Sequence, residues 1–303
     1  AMPLKPAVDE AVEQCPSVEH VLVVRRTGQD VDWTERDVWW HDIVGRQPAE
    51  HTPEAFDSEH PLFILYTSGT TGKPKGIFHA TGGYLVQASL THKWVFDLKE
   101  DDVFWCSADV GWVTGHTYIA YGPLANGATV VLFEGTPDYP GRDRFWEMIE
   151  RHKVSIFYTA PTAIRSFMRW GDDLPAKHDL SSLRRVFCAG ETLNPPAWQW
   201  LQQDVLGDRI PVIDHMWQTE SSGPMVGNPA GIALLPTKAG SATIPLPGID
   251  AEIVNERGEP VGVGVKVPRL MRQHGRAARE GDGHAGRDLQ PFGRLGGEST
   301  DDV

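Results

Sequence analysis

The sequence predicts an α/β fold in which largely parallel strands alternate with helices. From residue 63 onward, short apolar runs and amphipathic stretches follow one another along the chain. That alternation is typical of sheets whose strands are joined by helical crossovers. The 303 residues are 40% apolar and 23% charged, which is ordinary globular composition and enough for a sizeable core.

The chain before the first loop motif is predicted to be mostly irregular. VEHVLVVRR at 18–26 is an apolar run typical of a buried strand. Residues 27–60 are polar, rich in tryptophan and broken by prolines, which predicts an irregular connection. FILYTSGTTG at 63–72 then reads as a strand that runs straight into a loop of Gly, Thr and Ser.

Strands and helices are predicted in turn over the next 150 residues. The predicted strands lie at 103–106, 128–135, 154–161, 184–191 and 210–215. The predicted helices lie at 84–95, 116–125, 143–153 and 197–205, with one more after Pro161. In the helix at 143–153, Phe145, Trp146 and Ile149 are spaced to share one face.

The C-terminal part has a different composition. AEIVNERGEPV at 251–261 predicts a β-hairpin that turns at Glu256–Gly258. From Met271 onward the sequence is rich in Gly and Arg, contains no Lys and shows no helical or strand periodicity, which predicts disorder. A natural flexible tail and a non-native reading frame after a truncation both explain this divergent stretch, 263–303.

Charge and cysteine content limit the partners and the compartment. With 28 Lys and Arg against 41 Asp and Glu, the net charge of −13 argues against general binding of nucleic acid or an anionic membrane. Backbone dipoles can still hold a phosphate. Cys15, Cys106 and Cys188 show no metal-ligand spacing. With no signal peptide or membrane-length apolar run, a cytoplasmic protein with reduced thiols is expected.

The motif with the most specific chemistry is YTSGTTGKPKG at 66–76. Its glycines let backbone N–H groups approach phosphate oxygens, its hydroxyls donate hydrogen bonds, and its lysines supply positive charge. It is not a Walker A loop, because Pro74 follows Lys73. A generic Gly-rich turn between a strand and a helix would be the simpler interpretation of a shorter match.

These eleven positions resemble the phosphate-binding loop of the adenylate-forming superfamily. Four further stretches resemble the acetyl-CoA and propionyl-CoA synthetase branch of that superfamily. They are ADVGWVTGHTY at 108–118, FYTAPTAIR at 157–165, AGETLNPPAW at 189–198 and DHMWQTE at 214–220. The resemblance runs from about residue 3 to about residue 262 and implies the large nucleotide-binding domain of such an enzyme, with mostly parallel sheets flanked by helices.

The resemblance implies that ATP, Mg²⁺, CoA and a small-molecule carboxylate bind. The residues implied to hold the β- and γ-phosphates are Thr67, Ser68, Gly69, Thr70, Thr71, Gly72 and Lys73. Those implied to lie along the adenine and in the nucleotide pocket are Gly190, Glu191, Thr192, Asp214 and Gln218. Thr219 is implied to contact the α-phosphate, Glu220 to help hold Mg²⁺, and Ala160 to lie near the CoA thiol.

The resemblance also implies an acyl pocket lined by Val113, Thr114, Ala189 and Trp217. The indole of Trp217 would be its floor and would exclude long chains, although a lone tryptophan is more often a core residue. Acetate-selective relatives often carry Val where this chain has Ala189, which favours acetate or propionate. His116 and His215 are expected to be hydrogen-bonded structural histidines.

Two hypotheses about function remain open at this point. In the first, the chain represents by family a short-chain acyl-CoA synthetase, whose reaction yields acyl-CoA, AMP and pyrophosphate through an acyl-adenylate. This chain itself is expected to be incomplete and unable to carry out the full reaction. In the second, it is a non-catalytic nucleotide-binding remnant of such an enzyme. The resemblance implies that residues 1–262 are a partial AMP-binding domain, an internal fragment lacking both ends, without the small C-terminal domain. A scaffold protein would need all five motifs to match by coincidence.

Overall fold

The computed structural model describes residues 4–68, 73–255, 257, 259–262 and 271–274. The chain divides into two compact units, Ala1–Phe56 and Asp57–Val303. The first unit contains α1 (Lys5–Glu13), β1 (Val21–Val23), β2 (Asp37–Trp39) and α2 (Trp40–Val44). Its two strands pair in parallel.

The first unit differs from its prediction in two ways. The buried strand expected at 18–26 is shortened to β1 and is half exposed, with 55% of Leu22 accessible. The reason is that, within the described residues, β1 pairs with β2 alone and no wider sheet encloses it. The supposedly irregular stretch 27–60 contains β2 and α2. Buried Lys5 fixes the unit by pairing with Asp9 at 2.5 Å and Asp37 at 2.9 Å.

A five-stranded parallel sheet forms the centre of the second unit. Its strands are β5 (Val103–Cys106), β6 (Thr129–Val130), β7 (Ile156–Thr159), β8 (Arg185–Cys188) and β9 (Val212–Asp214). They lie in the order β6-β5-β7-β8-β9, and every neighbouring pair is parallel. The predicted α/β class is therefore confirmed. The strand expected at 128–135 keeps only two paired residues, because β6 is an edge strand that bonds β5 alone.

Apolar side chains cover both faces of this sheet. Successive residues of a strand point to opposite faces, so Trp105 and Phe157 join one cluster while Phe104 and Tyr158 join the other. The helices Arg144–His152 and Pro161–Trp170 complete the first cluster, and residues that follow the helix Thr81–Trp94 complete the second. Burial on both faces explains why these strands appear in the sequence as nearly continuous apolar runs.

The helices of the second unit follow the predicted order with shifted ends. They are α3 (Thr81–Trp94), α4 (Val113–Gly115), α5 (Gly122–Ala125), α6 (Arg144–His152), α7 (Pro161–Trp170) and α8 (Pro195–Gln199). Wider π-type turns at His116–Tyr121 and Trp200–Val205 extend α4 and α8, and short 3₁₀ turns lie at Pro175–Lys177 and Thr219–Ser221. The predicted apolar face of α6 is confirmed, since Phe145, Trp146 and Ile149 are all buried.

The Gly-rich motif lies between two strands rather than between a strand and a helix. β3 (Pro61–Thr67) pairs antiparallel with β4 (Lys75–Ala80), and Thr67 is opposite Lys75. β4 was not predicted. It reads as part of the loop motif in sequence, whereas in the fold its backbone continues the ladder begun by β3. The described ends of the motif, Thr67 and Lys75, therefore face each other across an antiparallel strand pair.

Two short antiparallel pairings contain the remaining strands. β10 (Val226–Gly227) pairs with β11 (Ile244–Pro245), and β12 (Asp250–Ile253) pairs with β13 (Met271–His274). The hairpin predicted at 251–261 is present in part, since Asn255 N–H donates to Glu259 O at 2.9 Å. Glu256, Gly258 and the predicted disordered tail lie outside the described residues, except that 271–274 form a strand where none was expected.

An ionic network closes the amino edge of the parallel sheet. Arg184, which precedes β8, places Nη1 2.8 Å from Asp97 Oδ2 and donates from Nε to Asp102 Oδ1 at 2.7 Å. Ser155 Oγ also donates to Asp102 at 2.7 Å. Burial opposes ionisation of Asp102, but these hydrogen bonds outweigh it and lower the pKa of its carboxyl. The network joins the starts of β5, β7 and β8.

Candidate functional site

The carboxyl edge of the parallel sheet brings together four of the loops singled out in the sequence. Each of the neighbouring strands β5, β7, β8 and β9 is followed by the first residue of such a loop. In the same order, these residues are Ser107, Ala160, Ala189 and His215. Ser107 Oγ donates to Thr159 Oγ1 at 2.8 Å, which links the first two strand ends. In open α/β sheets, ligands bind at this edge near the point where the strand order reverses, here between β5 and β7.

The loop after β8 carries three of the predicted nucleotide residues. Gly190 has φ +108°, a conformation that favours glycine, and no atom lies near its missing Cβ. The exposed Glu191 receives hydrogen bonds from Thr162 and from Arg165, the latter at 2.7 Å. Burial opposes ionisation of Glu191, but these bonds lower its pKa. Thr192 is half-buried. The loop is thereby tied to the first turn of α7.

Asp214 connects this loop to the next strand. It ends β9, is buried, and accepts the backbone N–H of Leu193 on Oδ2 at 2.9 Å. A residue of the DHMWQTE motif thus holds the residue that follows the AGET segment. The two stretches are about twenty residues apart in sequence, and the structure brings them into direct contact, as a shared nucleotide pocket requires.

The other predicted nucleotide residues form a locally fixed turn. Gln218 N–H donates to Ser221 Oγ at 3.1 Å, and the Gln218 side chain accepts the Ser221 N–H in return. Thr219 is half-buried and Glu220 is exposed. Ser222 ends the turn with φ +64°, which is uncommon for a residue other than glycine. The Glu220 carboxylate is therefore presented to solvent from a rigid turn.

Two distant elements hold Ser222 in that conformation. Its Oγ lies 3.0 Å from His79 Nδ1 on β4, and its carbonyl accepts the Thr117 hydroxyl at 2.9 Å. Burial lowers the pKa of His79, against the opposing effects of the Thr219 backbone and the Glu220 carboxylate. Because β4 follows the Gly-rich motif, the contact ties the motif's hairpin to the turn that carries Thr219 and Glu220.

The Gly-rich motif itself is described only at its two ends. Thr67 is half-buried at the end of β3, while Ser68 and Lys73 are exposed. The middle of the motif, Gly69, Thr70, Thr71 and Gly72, lies outside the described residues. The assignment of all seven to phosphate binding stays a prediction.

The predicted acyl-pocket residues Trp217 and Ala189 contribute to one apolar cluster. The indole Nε1–H of Trp217 donates to Tyr158 Oη at 3.0 Å, and its ring meets Tyr118 edge-on at 5.6 Å. Ala189 is buried in the same cluster. Trp217 itself remains partly exposed. Unlike an ordinary core tryptophan, it is thus open on one side and fixed on the other.

Three more predicted residues lie on neighbouring segments. Val113 is buried and Thr114 half-buried at the start of α4, whose helical run continues to Tyr118 and its contact with Trp217. Ala160 is exposed directly after β7, at the residue before α7 begins. Their roles toward the acid and CoA stay predictions.

The two histidines of the motifs have different environments. His116 is structural as expected, since Nδ1 lies 3.0 Å from Trp112 O. The expectation that His215 is hydrogen-bonded is wrong. Among the described residues neither ring nitrogen has a hydrogen-bond partner, because Phe96 and Phe187 enclose the imidazole. Burial lowers the pKa of His215 to about 3, so it is neutral at physiological pH.

Sequence reasoning missed Tyr158, His79 and Ser222 as parts of the site. The sequence could have indicated Tyr158, because strand alternation places it on the face opposite Phe157 within the motif FYTAPTAIR. No sequence pattern indicates the pairing of His79 with Ser222, since 143 positions separate the two residues.

The described part of the chain offers neither a clustered metal site nor a helix that could span a membrane. It contains no group of three or more His, Cys, Asp or Glu side chains placed to hold a metal ion. No helix within it has the length and apolar character needed to cross a membrane. The cysteines are free thiols, buried at Cys106 and Cys188 and exposed at Cys15.

Comparison with known proteins gives consistent matches. The acetyl-coenzyme A synthetase of Streptomyces avermitilis is 63% identical over 260 residues, which are 85% of this chain and 40% of that protein. That of Rhodopirellula baltica is 56% identical over 261 residues, 86% of this chain and 39% of that protein. A crystal structure of a Brucella canis acyl-CoA synthetase superposes with a TM-score of 0.71 at 28% identity, covering 88% of this chain and 46% of that one.

The chain thus spans about 40% of the length of the curated relatives it matches. The family model described as AMP-binding enzyme matches residues 2–268, which include every motif and every site residue discussed above. Together with the α/β sheet and the loops at its carboxyl edge, this match shows that the chain belongs to the AMP-binding enzyme family.

Proposed function

We propose that this chain carries the ATP- and acid-binding site of an AMP-forming short-chain acid–CoA ligase. The carrying observation is that residues from separate motifs converge on the carboxyl edge of one sheet, where Asp214 holds the loop of Gly190–Thr192. The relatives' names, acetyl-coenzyme A synthetase, agree with this reaction class. In the proposed reaction an acid carboxylate attacks the α-phosphate of ATP, pyrophosphate leaves, and the CoA thiol then attacks the acyl-adenylate.

The phosphates are assigned to the hairpin end and the turn beside it. Thr67 to Lys73 would surround the β- and γ-phosphates with backbone N–H groups, hydroxyls and one ammonium. Thr219 would contact the α-phosphate. The His79–Ser222 hydrogen bond supports this assignment, because it joins the hairpin to the turn. Catalysis would rest on positioning and charge neutralisation rather than on a protein nucleophile.

Mg²⁺ fits this site as an ion that would be held beside the substrate phosphates. Such ions are usually held by one or two carboxylates together with substrate phosphates, rather than by an all-protein cage. Glu220 offers one exposed carboxylate on a rigid turn next to Thr219. When bound, the ion would neutralise charge on the phosphates.

The acid is proposed to be acetate or propionate. The indole of Trp217 limits the length of the pocket, and a fixed bulky ring excludes a chain by steric clash. One missing methylene in an apolar pocket changes affinity only about 10- to 200-fold, so the pocket would discriminate long chains more sharply than neighbouring short ones. The small side chain of Ala189, buried in the same cluster, leaves room for a second or third carbon.

The domain assignment is also a proposal. Residues 1–262 would form part of the AMP-binding domain, with 263–303 outside it. The second candidate, a nucleotide-binding remnant without catalysis, shares every contact described above. Only a measurement of activity therefore distinguishes the ligase from the remnant.

Acid-dependent exchange of ³²P-pyrophosphate into ATP tests the proposal on the 303-residue chain. We expect exchange with acetate and propionate, at least tenfold lower in Glu220→Gln. Glu100→Gln, an exposed glutamate near the opposite edge of the sheet, is the matched control and should exchange normally. Binding of ATP without exchange would favour the remnant. Failure to bind ATP at all would refute the proposed site.

A further inference from the structure

The indole of Trp217 is attached to the central sheet rather than to its own loop. Trp217 follows β9 in an irregular stretch, and its indole Nε1–H donates to Tyr158 Oη at 3.0 Å. Tyr158 lies on β7, paired with Cys106 on one side and Phe187 on the other. The acceptor is therefore fixed by two parallel ladders, which makes it one of the least movable groups near the carboxyl edge.

In the part of the chain that the structure describes, two tyrosines contact the indole, and Tyr158 is the one that does so through its hydroxyl. Tyr118 meets Trp217 edge-on at 5.6 Å, while its own hydroxyl lies 2.6 Å from Thr91 Oγ1. Tyr158 and Tyr118 are both almost fully buried. Ring packing by Tyr118 limits how far the indole can shift, whereas the directional bond to Tyr158 selects its rotation.

We propose that Tyr158 is a positioning residue that sets the longest acid the site accepts, by holding the Trp217 indole across the acyl pocket. The inference rests on the proposed function, because it needs Trp217 to face the acid. Without the Tyr158 hydroxyl, the indole N–H loses its hydrogen-bond acceptor. The indole then rotates so that its N–H can donate to another acceptor. The ring then no longer closes the pocket at a fixed depth, and longer chains enter.

The size of the effect follows from the strength of one buried hydrogen bond. The net free energy that one intramolecular hydrogen bond contributes corresponds to a change of roughly 2- to 12-fold in an equilibrium constant. The preference for a two-carbon over a four-carbon acyl chain should therefore fall about 3- to 10-fold when the hydroxyl is removed.

Binding of non-hydrolysable acyl-adenylate mimics tests this without requiring turnover. Acetyl-, propionyl- and butyryl-sulfamoyl adenosine are titrated calorimetrically into the 303-residue chain and its variants. We expect the acetyl-to-butyryl affinity ratio to fall in Tyr158→Phe. Tyr118→Phe is the matched control, since it also loses one buried hydroxyl but keeps the indole bond, and its ratio should match that of the parent.

A double-mutant cycle separates positioning from general loosening of the core. Trp217→Phe removes the N–H donor from the other side of the same bond. If Tyr158 acts through the indole, adding Tyr158→Phe to Trp217→Phe leaves the affinity ratio unchanged. If Tyr158→Phe proves unstable, a second measurement replaces the cycle. The Trp217 indole N–H is then followed by ¹⁵N NMR in the parent and in Tyr118→Phe. A solvent-protected indole N–H supports the anchor, and rapid exchange overturns it.

The outcomes separate the two proposals. A parent chain that binds none of the mimics refutes the proposed function, and the inference falls with it. A parent that binds them, with equal ratios in Tyr158→Phe and Tyr118→Phe, refutes the role of Tyr158 alone. An effect of Tyr158→Phe that persists in the Trp217→Phe background shows that Tyr158 acts by another route and overturns the inference.

Discussion

Two buried histidines should make this chain lose stability at mildly acidic pH. His92 and His215 are 0% and 3% exposed, and both pack among aromatic rings. The His92 ring lies 4.4 Å from that of Phe104, and the His215 ring lies 5.3 Å from that of Phe96. Burial lowers the pKa of each to about 3, so both stay neutral in the fold across the physiological range.

The sign and size follow from proton linkage. In the unfolded chain each histidine titrates near 6.5, so below that pH the unfolded state binds protons that the folded state refuses. The free energy of unfolding therefore rises with pH, and the loss grows from about pH 7 down to about pH 3. At pH 5 the loss is about 2 kcal/mol for each histidine, or about 4 kcal/mol for the pair.

Urea unfolding at pH 7, 6 and 5 measures this loss directly. Carboxylates with lowered pKa, such as Asp102, release their stabilisation below about pH 4 and so leave this window undisturbed. In the double variant His92→Leu/His215→Leu, the difference between pH 7 and pH 5 should shrink by about 4 kcal/mol, whatever its absolute stability. His152→Gln, which changes an exposed histidine at the end of α6, should keep the parental pH dependence.

Two results would contradict this reasoning. The first is a loss of less than about 1 kcal/mol in the parent chain between pH 7 and pH 5, which would mean that the imidazoles reach water or a counter-charge in the fold. Alternatively, the double variant would keep the parental slope, which would assign the acid sensitivity to other groups.

Further predictions concern packing and the amino edge. A Cβ at Gly231 would lie 2.1 Å from the Lys93 carbonyl oxygen, so Gly231→Ala should destabilise the chain by about 3 kcal/mol or more in urea unfolding. Gly83→Ala is its control, because α3 leaves open space there, and should stabilise by up to about 1 kcal/mol. Arg184→Met leaves the carboxylate of Asp102 without its guanidinium partner and should cost about 3 kcal/mol. Adding Asp102→Asn should recover part of that loss, and no recovery would contradict the ion-pair assignment.

Local periodicity determined the elements whose pattern extends over their full length. The helix near 143–153 was predicted with its buried face, because Phe145, Trp146 and Ile149 recur at helical spacing. β5 and the core of β7 were predicted because strands buried on both faces are apolar throughout. β4 and the shortening of β6 were missed, since hydrogen bonding to a neighbouring strand decides both.

The sequence by itself determined the fold class, the family and the identity of the loops that bear the candidate site. These depend on residue types at fixed spacing, which a single chain displays. Only the tertiary structure decided that Asp214 holds the loop after β8, that His79 reaches Ser222, and that Tyr158 carries the indole of Trp217. Each of these contacts joins residues that are distant in sequence, and the strand order of the sheet, rather than any local pattern, brings them within hydrogen-bonding distance.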